Sequence, residues 1–204
     1  MTLAKLAGTS SGSPPFLGLI PLNPVDREIP QRLRPAIADF FSLPVKILPP
    51  KPLPPHTHHL LRQQYHSTEL LEFLLKENDQ GPLRVLGITG VDLYIPIFTF
   101  VFGEAQVDGK AAIISTFRPG GGASGIKPPP AVLLERLLKL SVHELGHTFG
   151  LPHCRIEGCL MNFSANLEKL DQKGLELCGY CQILLDDYLK DLSGLSLSRT
   201  GSHQ

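Results

Sequence analysis

The sequence predicts an α+β domain carrying a small C-terminal appendage. Three observations lead there. Apolar segments of strand and helix character alternate early, helical segments dominate later, and all four cysteines fall between Cys154 and Cys181. At 204 residues with 42% hydrophobic content, the chain is long and apolar enough to bury a core.

Taken in order, residues 1–15 are rich in Ser, Gly and Pro and are expected to be flexible. "FLGLIPL" is short, apolar and closed by proline, which reads as a strand. "VDREIPQRLRPAIADFF" places Ile29, Leu33, Ile37 and Phe40 or Phe41 at helical spacing, with Pro30 and Pro35 marking a start or a kink. "LPVKILP" reads as a second strand. The proline-dense "PPKPLPPHTHH" excludes helix and central strand. "RQQYHSTELLEFLLKEN" is expected to be an amphipathic helix with Leu70, Leu71, Leu74 and Leu75 on one side. "LRVLGITG" reads as a buried strand. "IFTFVFGEAQV" and "AAIISTF" read as two more, joined through Asp108-Gly109, a hairpin signal. After the loop "RPGGGASGIKPPP", a helix is expected from about Ala131 to Gly150, with proline before it and glycine after it. "QILLDDYLKDL" supplies a late helix.

Charge and hydropathy remove some function classes. With 19 basic and 19 acidic residues the formal net charge is zero, without the electrostatic footprint of a general nucleic-acid binder. No apolar run approaches the length of a membrane span. "MTLAKLAGTSSGSPPF" lacks the apolar core of a secretory signal, so a cytoplasmic address is the expectation. "GGGASG" lacks the preceding strand and the Lys-Ser/Thr of a phosphate loop, and reads as a mobile loop.

Chemistry concentrates in "SVHELGHTFGLPHC", residues 141–154. Residues four apart share a helix face, so His143 and His147 project together and can hold one ion. Glu144 lies about 100° around the helix from His143, where it can flank a metal without ligating it. Gly150 tolerates positive φ and lets the chain leave the helix sharply, while Pro152 discourages its continuation. His153 is thereby aimed back as a third ligand. Three histidines around zinc leave one position open for water, whose pKa the ion lowers toward ~7, and a carboxylate can then take its proton. The run matches the longer metzincin pattern His-Glu-x-x-His-x-x-Gly-x-x-His. An exposed helix face with scattered histidines is the bland alternative, and the added Gly150 and His153 argue against it.

Cys154-x4-Cys159 and Cys178-x2-Cys181 form two short ligand pairs that can close a tetrahedral thiolate site around a structural zinc. Two disulfides or four free core cysteines are the competing readings, and a cytosolic address favours metal. Cys154 follows His153 directly, so folding the cysteine site is expected to fix that histidine.

"HELGHTFGLPHCRIEGCLM" followed by "CGYC" resembles the hallmark of the archaemetzincins, and the likeness extends upstream through "RQQY", "LGITGVDLYIPIFTFVFGEA" and "AAIISTFRP". It spans about residues 16–190. The resemblance implies a metzincin-like mixed twisted sheet with an active-site helix and a small cysteine-bound zinc C-terminal subdomain. It divides the chain into a catalytic domain over 16–153, a zinc subdomain over 154–192 and a flexible tail over 193–204. His143, His147 and His153 match the catalytic zinc ligands and Glu144 the general base. Cys154, Cys159, Cys178 and Cys181 match the ligands of a second zinc, and Met161 matches the methionine beneath the catalytic metal. Sixteen residues separate Met161 from Cys178, one fewer than the usual family spacing.

The function expected is that of a zinc metallopeptidase binding two zinc ions per chain and acting as a monomer on a peptide or protein. Neither nucleic acid nor membrane is an expected partner. An edge strand within "FTFVFGEAQV" or "AAIISTF" would hold the extended peptide. The alternative is a zinc-stabilised peptide-binding protein with little or no proteolytic activity. Four other features are read as structural: His56, His58 and His59 as a solvated loop, Arg62 and Tyr65 as helix-surface or packing residues, Tyr180 as a residue fixed between cysteines, and Asp92 as a strand-end cap or an anchor.

Overall fold

The computed structural model describes residues 14–76 and 81–194. Residues 1–13 and 195–204, most of the segments 1–15 and 193–204 expected to be flexible, lie outside it, and residues 193–194 continue a helix. Strand β1 (Leu17–Asn23) is followed by helix α1 (Glu28–Phe41), then short strands β2 (Val45–Ile47) and β3 (Lys51–Pro52). Next come β4 (His58–His59), β5 (Gln64–His66), helix α2 (Ser67–Lys76), β6 (Arg84–Thr89) and β7 (Leu93–Tyr94). The chain finishes with β8 (Gly103–Ala105), β9 (Ala111–Ser115), and helices α3 (Pro130–Thr148), α4 (Leu167–Asp171) and α5 (Gly179–Gly194).

The main sheet runs β2-β1-β6-β9-β8, with β3 also paired to β1. Every pairing is parallel except β8 against β9, which is antiparallel and forms one edge. Both faces are covered, which is why the central strands read as continuous apolar runs. Leu17, Leu19, Leu86, Ile88, Ala112 and Ile114 turn toward α1 and α3, where Leu33, Ile37, Phe41, Leu137, Leu140 and Leu145 complete the larger core. The alternate residues Ile20, Leu22, Val85, Ala111 and Ile113 meet Leu70, Leu71 and Leu74 of α2 on the other face. A second, three-stranded sheet joins β4, β5 and β7.

Several expectations need correction. The predicted helix from Arg62 begins at Ser67, because Gln64–His66 pairs with β7 instead. The Gln64 amide donates to the Asp92 carboxylate and the Thr99 carbonyl, long-range bonds that outweigh local helix propensity. The proposed end of that helix at residues 77–78 lies outside the described residues. Of "IFTFVFGEAQV" only Gly103–Ala105 is a strand. Residues 95–100 form a turn whose Phe98 and Thr99 carbonyls accept from the Arg62 guanidinium, which also stacks on Tyr94. Arg62 is therefore a loop clamp, not a helix-surface residue, and Tyr65 lies on β5, its ring against His58. β9 is interior to the sheet, so β8 alone forms the edge expected of that pair.

Other features stand where expected. Pro30 occupies the first turn of α1, and the helix runs on through Pro35. Pro52 sits in β3, which pairs with β1 alone, where a missing N–H is tolerated. Among the described residues no helix is long and apolar enough to cross a membrane.

Candidate active site

Helix α3 carries His143, Glu144 and His147 on its last two turns. Pro130 occupies its first position, preceded by Pro129. At the other end Gly150 adopts φ +80°. Its N–H donates to the His147 carbonyl and the next N–H, from Leu151, donates to Gly146. This paired termination closes the helix and turns the chain back. The Arg84 guanidinium donates to the Thr148 carbonyl and to the Tyr188 hydroxyl, and Tyr188 in turn donates to Asp108. Helix α5 is thus tied to the end of α3.

The returning loop brings His153 against the other two histidines. Ring centroids lie 4.7 Å (His143–His147), 5.3 Å (His143–His153) and 4.7 Å (His147–His153) apart. Potential ligand atoms of all three converge to within 4.8 Å of one another. The same loop also orients two of the rings. His143 Nδ1 donates to the Leu160 carbonyl at 2.8 Å, and His147 Nδ1 donates to the Leu151 carbonyl at 2.7 Å. Both Nε2 atoms are left as bare acceptors, 3.2 Å apart, with no hydrogen between them. Two facing lone pairs are satisfied by a cation, so the donor set fits a metal ion and matches the backing expected of ligating histidines. Burial lowers the pKa of His143 to about 3, and burial lowers His147 and His153 as well, so all three rings stay neutral and ready to ligate.

Glu144 points into the same cleft and is buried. Burial and the nearby carboxylate of Glu104 raise its pKa to about 8. Glu104, on the edge strand β8, accepts from the hydroxyls of Ser67 and Thr68 at the start of α2. Gly103 makes room for Glu144: a Cβ there would stand 2.8 Å from Glu144 Cγ. The sequence reading missed both β8 residues: the hydroxyl partners of Glu104 lie 36 and 37 positions away, and Gly103 faces Glu144 of a later helix. The cleft encloses about 510 Å³ and is lined by β8, the last turns of α3 and the segment around Leu160–Ala165.

The Sγ atoms of Cys154, Cys159, Cys178 and Cys181 also lie within 4.8 Å of one another. Cys154 and Cys178 are 3.7 Å apart, far beyond a disulfide bond. A tetrahedron with zinc–sulfur distances of about 2.3 Å has edges of about 3.8 Å, so this spacing fits a tetrathiolate zinc site. A backbone hydrogen bond at Cys181 pulls the Cys178 thiol down to about 7, whereas burial pushes the Cys159 and Cys181 thiols up. Gly158 at φ +82° makes the turn between Cys154 and Cys159. Met161 is fully buried and packs on α3 at Gly146, where a Cβ would stand 2.8 Å from its sulfur.

A family model described as Peptidase family M54 matches residues 41–187, most of the chain, including His143, Glu144, His147, His153 and all four cysteines. The chain belongs to peptidase family M54. Its relatives include the archaemetzincin of Methanopyrus kandleri, 41% identical over 138 residues, covering 68% of this chain and 75% of the relative. The crystal structure of that organism's archaemetzincin superposes with a TM-score of 0.78 at 35% identity, covering 89% of this chain and 99% of the other. A structure described as a zinc-dependent peptidase from Methanocorpusculum labreanum gives a TM-score of 0.72 at 28% identity, covering 83% and 99%. This M54 member is therefore a zinc metallopeptidase by family, with an archaemetzincin fold.

Within the M54 chain, the other singled-out residues fall away from the histidine cage. Asp92 accepts two hydrogen bonds from Arg118, at 2.7 and 2.8 Å, and one from Gln64, which makes it the anchor rather than a cap. Tyr180 is 64% exposed and does not line the cleft. His56, His58 and His59 belong to neither cluster able to hold a metal.

Proposed function

We propose that the protein hydrolyses peptide bonds at the cage formed by His143, His147 and His153, with Glu144 as general base. The observation that carries the reading is a buried carboxyl beside three converging, neutral histidines in a cleft bordered by a free sheet edge. Zinc in that cage would supply Lewis acidity, acidifying water and polarising a carbonyl. Glu144 takes the proton of the attacking water and later delivers it to the leaving amine. A carboxyl held near neutrality is suited to both transfers. Among the described residues β8 has a strand neighbour on one side only, and its other side can pair with an extended peptide.

The four cysteines hold a second, structural zinc in this reading, giving two ions per chain. Residues 16–153 then form the catalytic unit and 154–192 a zinc subdomain that positions His153. Digestion of a diverse peptide library, with and without chelator, tests the activity. Chelator-sensitive cleavage is expected. No cleavage by protein whose histidine site is demonstrably filled would leave a metal-dependent peptide-binding cleft in its place.

A further inference from the structure

The cleft holds positive charge that hydrolysis does not use. Lys139 and Lys173 both line it, and both are buried, at 2% and 8% exposure. Lys139 has its counter-charge: its Nζ lies 2.7 Å from the Glu135 carboxylate and donates toward the Leu170 and Asp171 carbonyls. Lys173 has none. Its hydrogen-bond partner among the described residues is the Asn162 carbonyl, and no carboxylate of those residues pairs with it. Burial pulls its ammonium down to about 8. An ammonium taken out of water without a paired carboxylate is costly, and an anion received beside it would lower that cost.

A second group points the same way. The Ser164 hydroxyl is buried, lines the same cleft and has no hydrogen-bond partner. Unpaired buried hydroxyls are uncommon and call for an explanation. The cleft that both groups line also includes Leu140, Leu160 and Leu170. An apolar wall with one cation and one unspent hydroxyl suits a short acidic group. A carboxylate offers two acceptor oxygens and no donor, whereas the amide of the same shape turns a donor toward the ammonium.

We propose that Lys173 and Ser164 together receive a carboxylate of the bound peptide. The site selects substrates with Asp or Glu beside the scissile bond, or with the chain's C-terminal carboxylate close to it. This rests on the peptide-cleavage reading above and names its substrate class. A purely structural role for Lys173 is the competitor, since it lies within electrostatic reach of Cys159 and could relieve the charge of a tetrathiolate site. That role leaves Ser164 unexplained and produces no carboxylate preference.

The test measures binding as well as turnover. Zinc-loaded full-length Glu144→Gln protein is titrated with N-acetylated, C-amidated hexapeptides carrying Glu or Gln at each position in turn. A parallel arm compares neutral peptides as free acids and as amides. The first arm reports a side-chain carboxylate and the second a C-terminal one. At one position, or at the C-terminus, the acid is expected to bind about tenfold or more tightly than its amide, the usual advantage of a charge-assisted hydrogen bond. Lys173→Met should bring that ratio to about one, Lys173→Arg should retain it, and Ser164→Ala should lower it. Equal binding of every acid–amide pair overturns the proposal, as does a preference that survives Lys173→Met. Should Lys173→Met fail to fold, the wild-type ratio and the Ser164→Ala change decide. Acid-selective binding with no cleavage by wild-type protein sinks the peptidase reading while the carboxylate site stands.

Discussion

Two glycines, Gly103 on β8 and Gly146 on α3, are explained by the methyl groups they lack. A Cβ at Gly103 would stand 2.8 Å from Glu144 Cγ, 2.9 Å from its Oε1 and 2.7 Å from the Ile113 carbonyl. One of those neighbours is backbone and cannot swing aside. Gly103→Ala should therefore destabilise by about 1–3 kcal/mol and displace Glu144, lowering both melting temperature and turnover. Gly146→Ala meets side chains and no backbone, the Met161 thioether at 2.8 Å and Leu151 Cδ1 at 3.3 Å, so its melting temperature should fall less. An unchanged melting temperature for Gly103→Ala would show that β8 yields. Glu144→Gln keeps size and shape but accepts no proton. Zinc content and thermal stability should persist while turnover drops by roughly two to four orders of magnitude. Retained turnover would remove Glu144 from the chemistry. At this scale the sequence was informative wherever helix geometry alone sets the spacing, as for His143, Glu144 and His147. It was silent on Gly103 and Glu104, whose neighbours come from distant elements.

Strand and helix boundaries were legible where both neighbours are apolar and failed where polar side chains decide. The buried strands β1, β6 and β9 announce themselves as apolar runs, and α3 is punctuated by Pro130 and Gly150. The segment Gln64–His66 looks helical by composition, yet Asp92 draws it into a sheet. Asp92 accepts from both Gln64 and Arg118, and Arg118 also lies 3.8 Å above the Phe100 ring. One carboxylate thus holds β5, the turn before β8 and the start of the glycine-rich loop. Asp92→Asn keeps the shape and loses the charge, so it should cost about 1.5–3 kcal/mol. For a chain of this size the melting temperature should fall on the order of 3–12 °C. The zinc content should not change, since Asp92 belongs to neither metal cluster. A loss of metal in this variant would contradict the assignment of Asp92 as an anchor.

Across the whole molecule, the two donor sets predict distinct losses. Elemental analysis should find two zinc ions per chain, and His147→Ala should retain one with the fold intact. Cys178→Ser should instead loosen the segment after residue 153, because a structural zinc contributes to folding that segment. The loop from Leu151 to Leu160 gives this variant a second effect. Its two end carbonyls accept from His147 and His143, its middle carries His153, and the Cys154 N–H donates to the Met161 carbonyl. Whatever orders the thiolates also orders the carbonyls that aim the imidazoles. Occupancy of one site must then raise affinity at the other by the same factor in both directions, because the coupling free energy is shared. With a coupling of about 1–3 kcal/mol, Cys178→Ser should weaken zinc binding at the histidines by roughly 5- to 150-fold. Competitive titration with a calibrated chelator reads that factor, and equal affinity in both proteins would show the sites to be independent. A metal-free chain is thus expected to fill its two sites cooperatively, so that zinc supply decides whether hydrolytic capacity develops at all.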